Sequence, residues 1–209
     1  QTMGYAAPSL SIVPKQAPRI SGGGPFPGDA DIPGGTYLLG TAQTEPFAFD
    51  NEKWAHPVEV ASFSIARGCL TQSEYAQFVD DGGYSREEFW CEEGWRWRES
   101  EEALHPVYWR KSSGDGWQRR HFDNWRSLEP NLPVIHVNWY EAEAYCRWAG
   151  RRLPTEVEWE LAASAEPDDK GFSQRKRRFP WGDEPPTPNL ANLNWQAMGC
   201  VDVGAHAEG

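Results

Sequence analysis

The spacing of apolar and polar positions changes several times along the chain, and each change marks an element. Tyr37, Leu38 and Leu39 form a short apolar run after Gly35 and predict a strand. Val58, Val60, Phe63 and Ile65 predict one longer strand, whose alternation slips a register at Ala61 and Ser62, where a bulge is expected. Four helix starts are predicted from capping boxes, in which a Ser, Thr or Asn is followed three residues on by Glu. They are Thr71/Glu74, Ser85/Glu88, Asn138/Glu141 and Thr155/Glu158. The first helix carries Tyr75, Phe78 and Val79 inward and ends near Gly82, and the third is expected to turn Trp139, Ala142, Cys146 and Ala149 to one face.

Between these signals the chain is irregular. Residues 1–33 hold Pro8, Pro14, Pro18, Pro25, Pro27 and Pro33 with Gly22–Gly24, and predict an extended linker. Trp90 to Trp125 has no clean period and predicts a long structured excursion with a hairpin near Gly114–Gly116. The polar run Glu166–Arg178, ending in four adjacent cations, predicts a solvated loop, and Phe179–Asp183 an aromatic turn. Helices and strands mixed with coil predict an irregular, loop-rich α+β fold.

Composition narrows the function classes. Hydrophobic residues at 39%, charged at 24% and aromatic at 13% exclude a collagen-like or wholly disordered chain. Acidic minus basic residues, 31 − 20, gives a net charge of −11, which disfavours a broad nucleic-acid surface unless a local basic patch exists. Twelve Trp, 20 Gly and 17 Pro beside two Met require rigid aromatics to supply much of the core. No stretch approaches the roughly 18 apolar residues of a membrane span, and no signal peptide is read at Gln1. Cys69, Cys91, Cys146 and Cys200 form no CxxC pair, so a reduced, cytoplasmic chain is expected.

Candidate chemistry is sparse. His56, His105, His121, His136 and His206 form no helical HxxxH pair and read as structural imidazoles. No Ser lies in a GxSxG elbow, no glycine-rich phosphate loop precedes a helix, and Cys146 reads as a small buried hydrophobe with a raised pKa. Oxygen-rich turns at Asp50–Glu52 and at Asp183, Asn189, Asn192 and Asn194 could either ligate calcium or serve the backbone as turn residues.

The run PVIHVNWYEAEAYCRWAGRRLPTEVEWELAA from Pro133, followed by FPWGDE from Phe179 and ANLN from Ala191, closely resembles the formylglycine-generating-enzyme fold family, a C-type-lectin-related fold. The resemblance runs from the strand at Gly34 or Gly35 to Gly209 and implies that residues 34–209 are the N-terminal part of such a domain. FAFDNEKWAHPVEV from Phe47, GGY at Gly82 with EEFWCEEGWRWR, and PVYWR from Pro106 resemble the sulfoxide synthases of ergothioneine biosynthesis and their selenoneine-forming siblings.

That branch implies an iron(II)-dependent oxidoreductase that uses O₂ to join a thiol or selenium donor to the imidazole carbon of hercynine. Its iron is held by an HxxxHxE motif on an upstream helical bundle, and QTMGYAAP from Gln1 resembles the end of that bundle and the start of the linker. The iron ligands and the C-terminal substrate residues are therefore expected outside this chain, and no catalytic residue is assigned within it. By the same resemblance Asn192 and the carbonyl of Leu193 match a calcium site, and Asp50, Asn51 and Glu52 match a loop proposed to line the substrate pocket. The competing expectations are a formylglycine-generating oxidase acting on sulfatase cysteines and a non-catalytic ligand-display module.

Overall fold

The computed structural model describes residues 26–209 apart from residues 115, 169, 170, 195, 196 and 198. Most of the stretch read as a linker lies outside the described residues. In chain order the strands are β1 (Asp29–Ile32), β2 (Gly35–Leu39), β3 (His56–Val60), β4 (Phe63–Ala66), β5 (Trp109–Lys111), β6 (Trp117–His121), β7 (Asn124–Ser127), β8 (Ala165–Asp168) and β9 (Gly171–Lys176). The helices are α1 (Gln72–Asp80), α2 (Glu92–Ser100), α3 (Trp139–Trp148) and α4 (Glu156–Ser164). The chain divides into two compact units.

The unit of residues 68–153 and 192–205 is aromatic at its centre. Thr71 caps α1 as predicted: its hydroxyl accepts the Glu74 N–H while Glu74 accepts the Thr71 N–H at 2.9 Å. The cap directs Tyr75, Phe78 and Val79 into a cluster with Tyr84, Trp90, Trp109 and Ala144. Tyr75 stacks on Tyr145 and meets Trp109 edge-on, so flat faces and ring edges fill a space that aliphatic side chains would fill elsewhere. Gln72, buried at the start of α1, accepts the Glu129 N–H at 3.1 Å and so ties the helix to the segment before α3. Strands β5, β6 and β7 form an antiparallel sheet, with the Ser112 N–H donating to Gly116 O across the hairpin expected there.

Three expectations fail in this unit. Ser85/Glu88 caps no helix: Gly83–Ser85 and Glu87–Phe89 are separate 3₁₀ turns, and Arg86 takes the Glu88 carboxylate at 2.7 Å. The chain turns back there because Trp90 Nε1 donates to Gly83 O at 2.9 Å. The aperiodic tryptophan region instead contains α2, capped by Cys91 Sγ, which accepts the Gly94 N–H at 3.3 Å. Helix α3 buries Glu141 and Ala144 with Tyr140, Tyr145 and Trp148 against the cluster, whereas Trp139 is exposed. Its inward face is set by the large rings, the buried Glu141 and Ala144 rather than by Ala142, Cys146 and Ala149.

The unit of residues 27–67, 154–191 and 206–209 is built from paired strands and α4. Strand β2 pairs antiparallel with β3, and β1 with β4. The single bulged strand expected over Val58–Ile65 is thus two strands, with the chain leaving one sheet for the other at Ala61–Ser62. Gly34 allows this crossing, since a Cβ there would lie 2.8 Å from both Ser62 N and Val60 O. Strand β1 also takes up residues assigned to the linker. Thr155 and Glu158 cap α4 as predicted, and Leu161 and Ala165 join Tyr37 and Val60 in a small core. The polar run Glu166–Arg178 is not all loop: β8 and β9 form a hairpin that takes in Arg175 and Lys176, Lys176 at its end is half-buried, and only Arg177 and Arg178 of the four cations lie beyond the strand.

Candidate functional site

The loop proposed to meet substrate lies in the second of these units, between β2 and β3. Asp50, Asn51 and Glu52 form one exposed 3₁₀ turn. Glu52 accepts the Phe49 N–H at 3.1 Å and Asp50 pairs with Lys53 at 3.0 Å, so both carboxylates serve the turn itself. Around them Phe47, Phe49 and Trp54 stand exposed, with the two phenyl rings in edge contact at 4.9 Å. The loop therefore shows water a rim of acidic and aromatic groups, a combination suited to a cationic or flat heteroaromatic ligand.

The base of the loop is fixed. The Thr41 N–H donates to Glu52 O at 2.7 Å and the Ala55 N–H to Thr41 O at 3.0 Å. Gly40 has a φ of +91°, and a Cβ there would meet Glu52 O at 2.8 Å, so glycine is required on both counts. The same residue is held from below: its N–H donates to Glu160 Oε1 at 3.0 Å and its carbonyl accepts from Lys176 Nζ at 2.5 Å. Lys176 also pairs with Glu160 at 2.5 Å, and Tyr37 donates to Glu160 at 3.0 Å. Burial pushes the Glu160 carboxyl up, but the Lys176 ammonium, the Gly40 N–H and the Tyr37 hydroxyl together hold it below its usual range. Burial raises the Tyr37 phenol. The node is an anchor rather than a reaction centre. Sequence reasoning missed Glu160 and Gly40 altogether and placed Lys176 in solvent. The usable signal was Lys176, a half-buried cation beside the exposed Arg175 within a run of like charge.

Asn192 and Leu193 belong to the other unit. Asn192 Nδ2 donates to Gly199 O at 3.0 Å, and its Oδ1 accepts the Ala197 N–H at 3.3 Å, so the amide closes its own turn. Leu193 is exposed. Asp183, read as a possible partner in calcium binding, accepts the Arg178 N–H at 3.0 Å and pairs with Arg175. Oxygen ligation of calcium needs about six to eight donors, of which Asn192 and Leu193 would supply two. Among the described residues no group of three or more His, Cys, Asp or Glu side chains could hold a metal ion, so these residues do not fit an iron centre by themselves. All four cysteines are free, and burial raises the Cys146 and Cys200 thiols. No described helix is long and apolar enough to cross a membrane.

Comparison with known proteins agrees with this fold. A family described as the sulfatase-modifying factor enzyme 1-like domain matches residues 20–204. The chain is 42% identical over 179 residues to the hercynine oxygenase of Mycolicibacterium smegmatis, covering 85% of this chain and 40% of that protein. It is 33% identical over 207 residues to the formylglycine-generating enzyme of Streptomyces coelicolor, covering 87% of this chain and 59% of that one. It is 34% identical over 211 residues to the inactive C-alpha-formylglycine-generating enzyme 2 of Mus musculus, covering 90% and 61%. The chain thus spans about two-fifths of the length of the first relative and about three-fifths of the other two. The α+β order of capped helices and short paired strands, and the match over residues 20–204, make this chain a member of the sulfatase-modifying factor enzyme 1-like family.

Proposed function

We propose that this chain is part of an O₂-dependent oxidoreductase that joins a thiol or selenium donor to the imidazole carbon of hercynine. The observation that carries the reading is the 42% identity to hercynine oxygenase over 85% of the chain. Iron(II), on ligands outside the described residues, would supply the O₂ activation. The Asp50–Glu52 turn and its aromatic neighbours would line part of the substrate pocket, on a loop that Gly40, Glu160 and Lys176 keep in place. Such an enzyme needs no membrane and no nucleic acid and is expected in the cytoplasm.

Calcium on Asn192 Oδ1 and the Leu193 carbonyl is a second proposal, with a structural role. Its test is a thermal melt in calcium against chelator. A calcium-dependent rise in Tm that Asn192→Ala removes supports the site, and a melt indifferent to calcium rejects it.

The activity is tested on the full gene product, loaded anaerobically with iron(II), supplied with hercynine and exposed to O₂ with cysteine, γ-glutamyl-cysteine or a selenium donor in turn. A product mass equal to hercynine plus one donor less two hydrogens, with or without one added oxygen, supports the proposal and names the donor. Unchanged hercynine with every donor, while a sulfatase-derived cysteine peptide is oxidised, would replace it with formylglycine generation.

A further inference from the structure

The sheet of β5, β6 and β7 reverses the sign of the chain around it. In a protein of net charge −11, residues 109–127 carry Arg110, Lys111, Arg119, Arg120 and Arg126 against only Asp115 and Asp123. Three of these cations are already engaged. Arg110 lies over Trp125 at 4.2 Å and donates from Nε to Gln118, Lys111 pairs with Asp80 at 2.7 Å, and Arg120 Nε donates to Phe122 O at 3.0 Å.

Arg119 and Arg126 differ. They are direct cross-strand partners in the β6–β7 pair, which puts both on one face with Cβ atoms roughly 5 Å apart, a register in which like charges repel. Arg119 keeps only 13% of its side chain exposed and gives Nη2 to Glu129 at 2.7 Å, which leaves its Nε buried without a partner. Arg98 and Arg177 also leave Nε unpartnered, but Arg98 lies over Trp95 and Arg177 donates to Pro180 O. Among the described residues no carboxylate pairs with Arg126. Of the two guanidinium groups, Arg119 alone is matched by a carboxylate, Glu129, among the described residues. His121, two residues along β6 and so on the same face, registers the imbalance: burial first, then Arg126 and Arg119, hold its pKa below the usual value against the pull of Glu129.

We propose that Arg119 and Arg126, with His121 beside them, form a binding site for one small oxyanion, a carboxylate or a phosphate. A guanidinium presents parallel N–H donors that match two oxygens of such a group, and a second negative charge would balance the face. The ligand is small because the neighbouring cations are engaged internally and offer no continuous track for a polyanion. The site does not depend on the activity proposed above.

The test follows the His121 ring resonances of the full chain by NMR while inorganic phosphate, and separately acetate, replaces chloride at constant ionic strength. A saturable shift is expected, with affinity lowered about 10-fold or more in Arg126→Gln, in line with loss of a charge-assisted hydrogen bond. Arg126 is exposed, so this variant should fold, and unchanged resonances outside the sheet would show that it has. Saturation by phosphate alone, by acetate alone or by both supports the site and names the oxyanion. A linear, chloride-like response to both, or equal saturation in Arg126→Gln, overturns it.

Discussion

Tyr84 donates a 2.5 Å hydrogen bond to Oε1 of Glu141 inside the aromatic cluster, while the other carboxylate oxygen accepts the Asn138 N–H that opens α3. One side chain thus caps a helix and satisfies a buried phenol, which in turn meets the Tyr75 hydroxyl at 3.1 Å. Burial pushes the Glu141 carboxyl up, with Tyr84 and the backbone N–H opposing. Tyr84→Phe leaves that carboxylate short of a donor and is expected to cost about 1–3 kcal/mol, measured by urea unfolding at neutral pH.

The raised pKa has a sign that can be checked. An acid whose pKa is higher folded than unfolded binds more protons in the native state, so its contribution to stability is greatest below the unfolded value of about 4.3 and declines as pH rises through the folded one. Glu141→Gln, which cannot ionise, should remove that decline. Unfolding free energies in steps from acid to neutral pH should show the gap between the wild type and Glu141→Gln changing across this window and level beyond it. A constant gap would mean that Glu141 titrates alike in both states.

Glu160 should behave in the opposite sense. Its folded pKa is lowered, so the stability it contributes is present above the unfolded carboxylate value and is lost as pH falls through the folded one. Glu160→Gln should flatten the acid side of the stability profile, and Lys176→Met should do the same by removing the ammonium that holds Glu160 at 2.5 Å. If Lys176→Met leaves the acid profile unchanged, the ion pair is not what lowers Glu160.

Gly83→Ala tests the packing. Its Cβ would fall 2.0 Å from a carbon of the Phe78 ring, which is itself fully buried, so the ring or the 3₁₀ turn must shift. The expected cost is about 1–3 kcal/mol, with the lost near-ultraviolet tryptophan signal of Trp90, which donates to Gly83 O, as the local readout.

Cys91→Ser should stabilise the protein. The thiol accepts the Gly94 N–H at the start of α2, and a hydroxyl is a stronger acceptor in that position. A rise of about 0.5–1 kcal/mol in unfolding free energy is expected, and a fall would show that the sulfur matters more for its contact with the buried Gly94 than as a cap.

The caps at Thr71, Asn138 and Thr155 were legible because both partners of each box lie within one turn, so local sequence specifies the contact. Cys91 was not, since cysteine is rarely a cap and the tryptophans around α2 pack on more than one side and hide its period. The split of Val58–Ile65 into β3 and β4 was invisible for a different reason. Gly34, which permits the crossing, is remote in sequence from Ala61. The candidate site divides likewise: Asp50–Glu52 could be named from its motif, whereas the Glu160–Lys176 support joins residues 120 or more positions from Gly40 and follows only from the fold.

Gly40 and Thr41 are neighbours whose amides answer to different events. The Thr41 N–H is released when the Asp50–Glu52 loop lifts from Glu52 O, whereas the Gly40 N–H is released only when α4 gives up Glu160. Their hydrogen-exchange rates, read side by side, therefore separate the breathing of the loop from the opening of the frame that carries it. A ratio near one would make loop and helix a single cooperative unit, and a faster Thr41 would make the loop a hinged element free to sample ligand while its support stays closed.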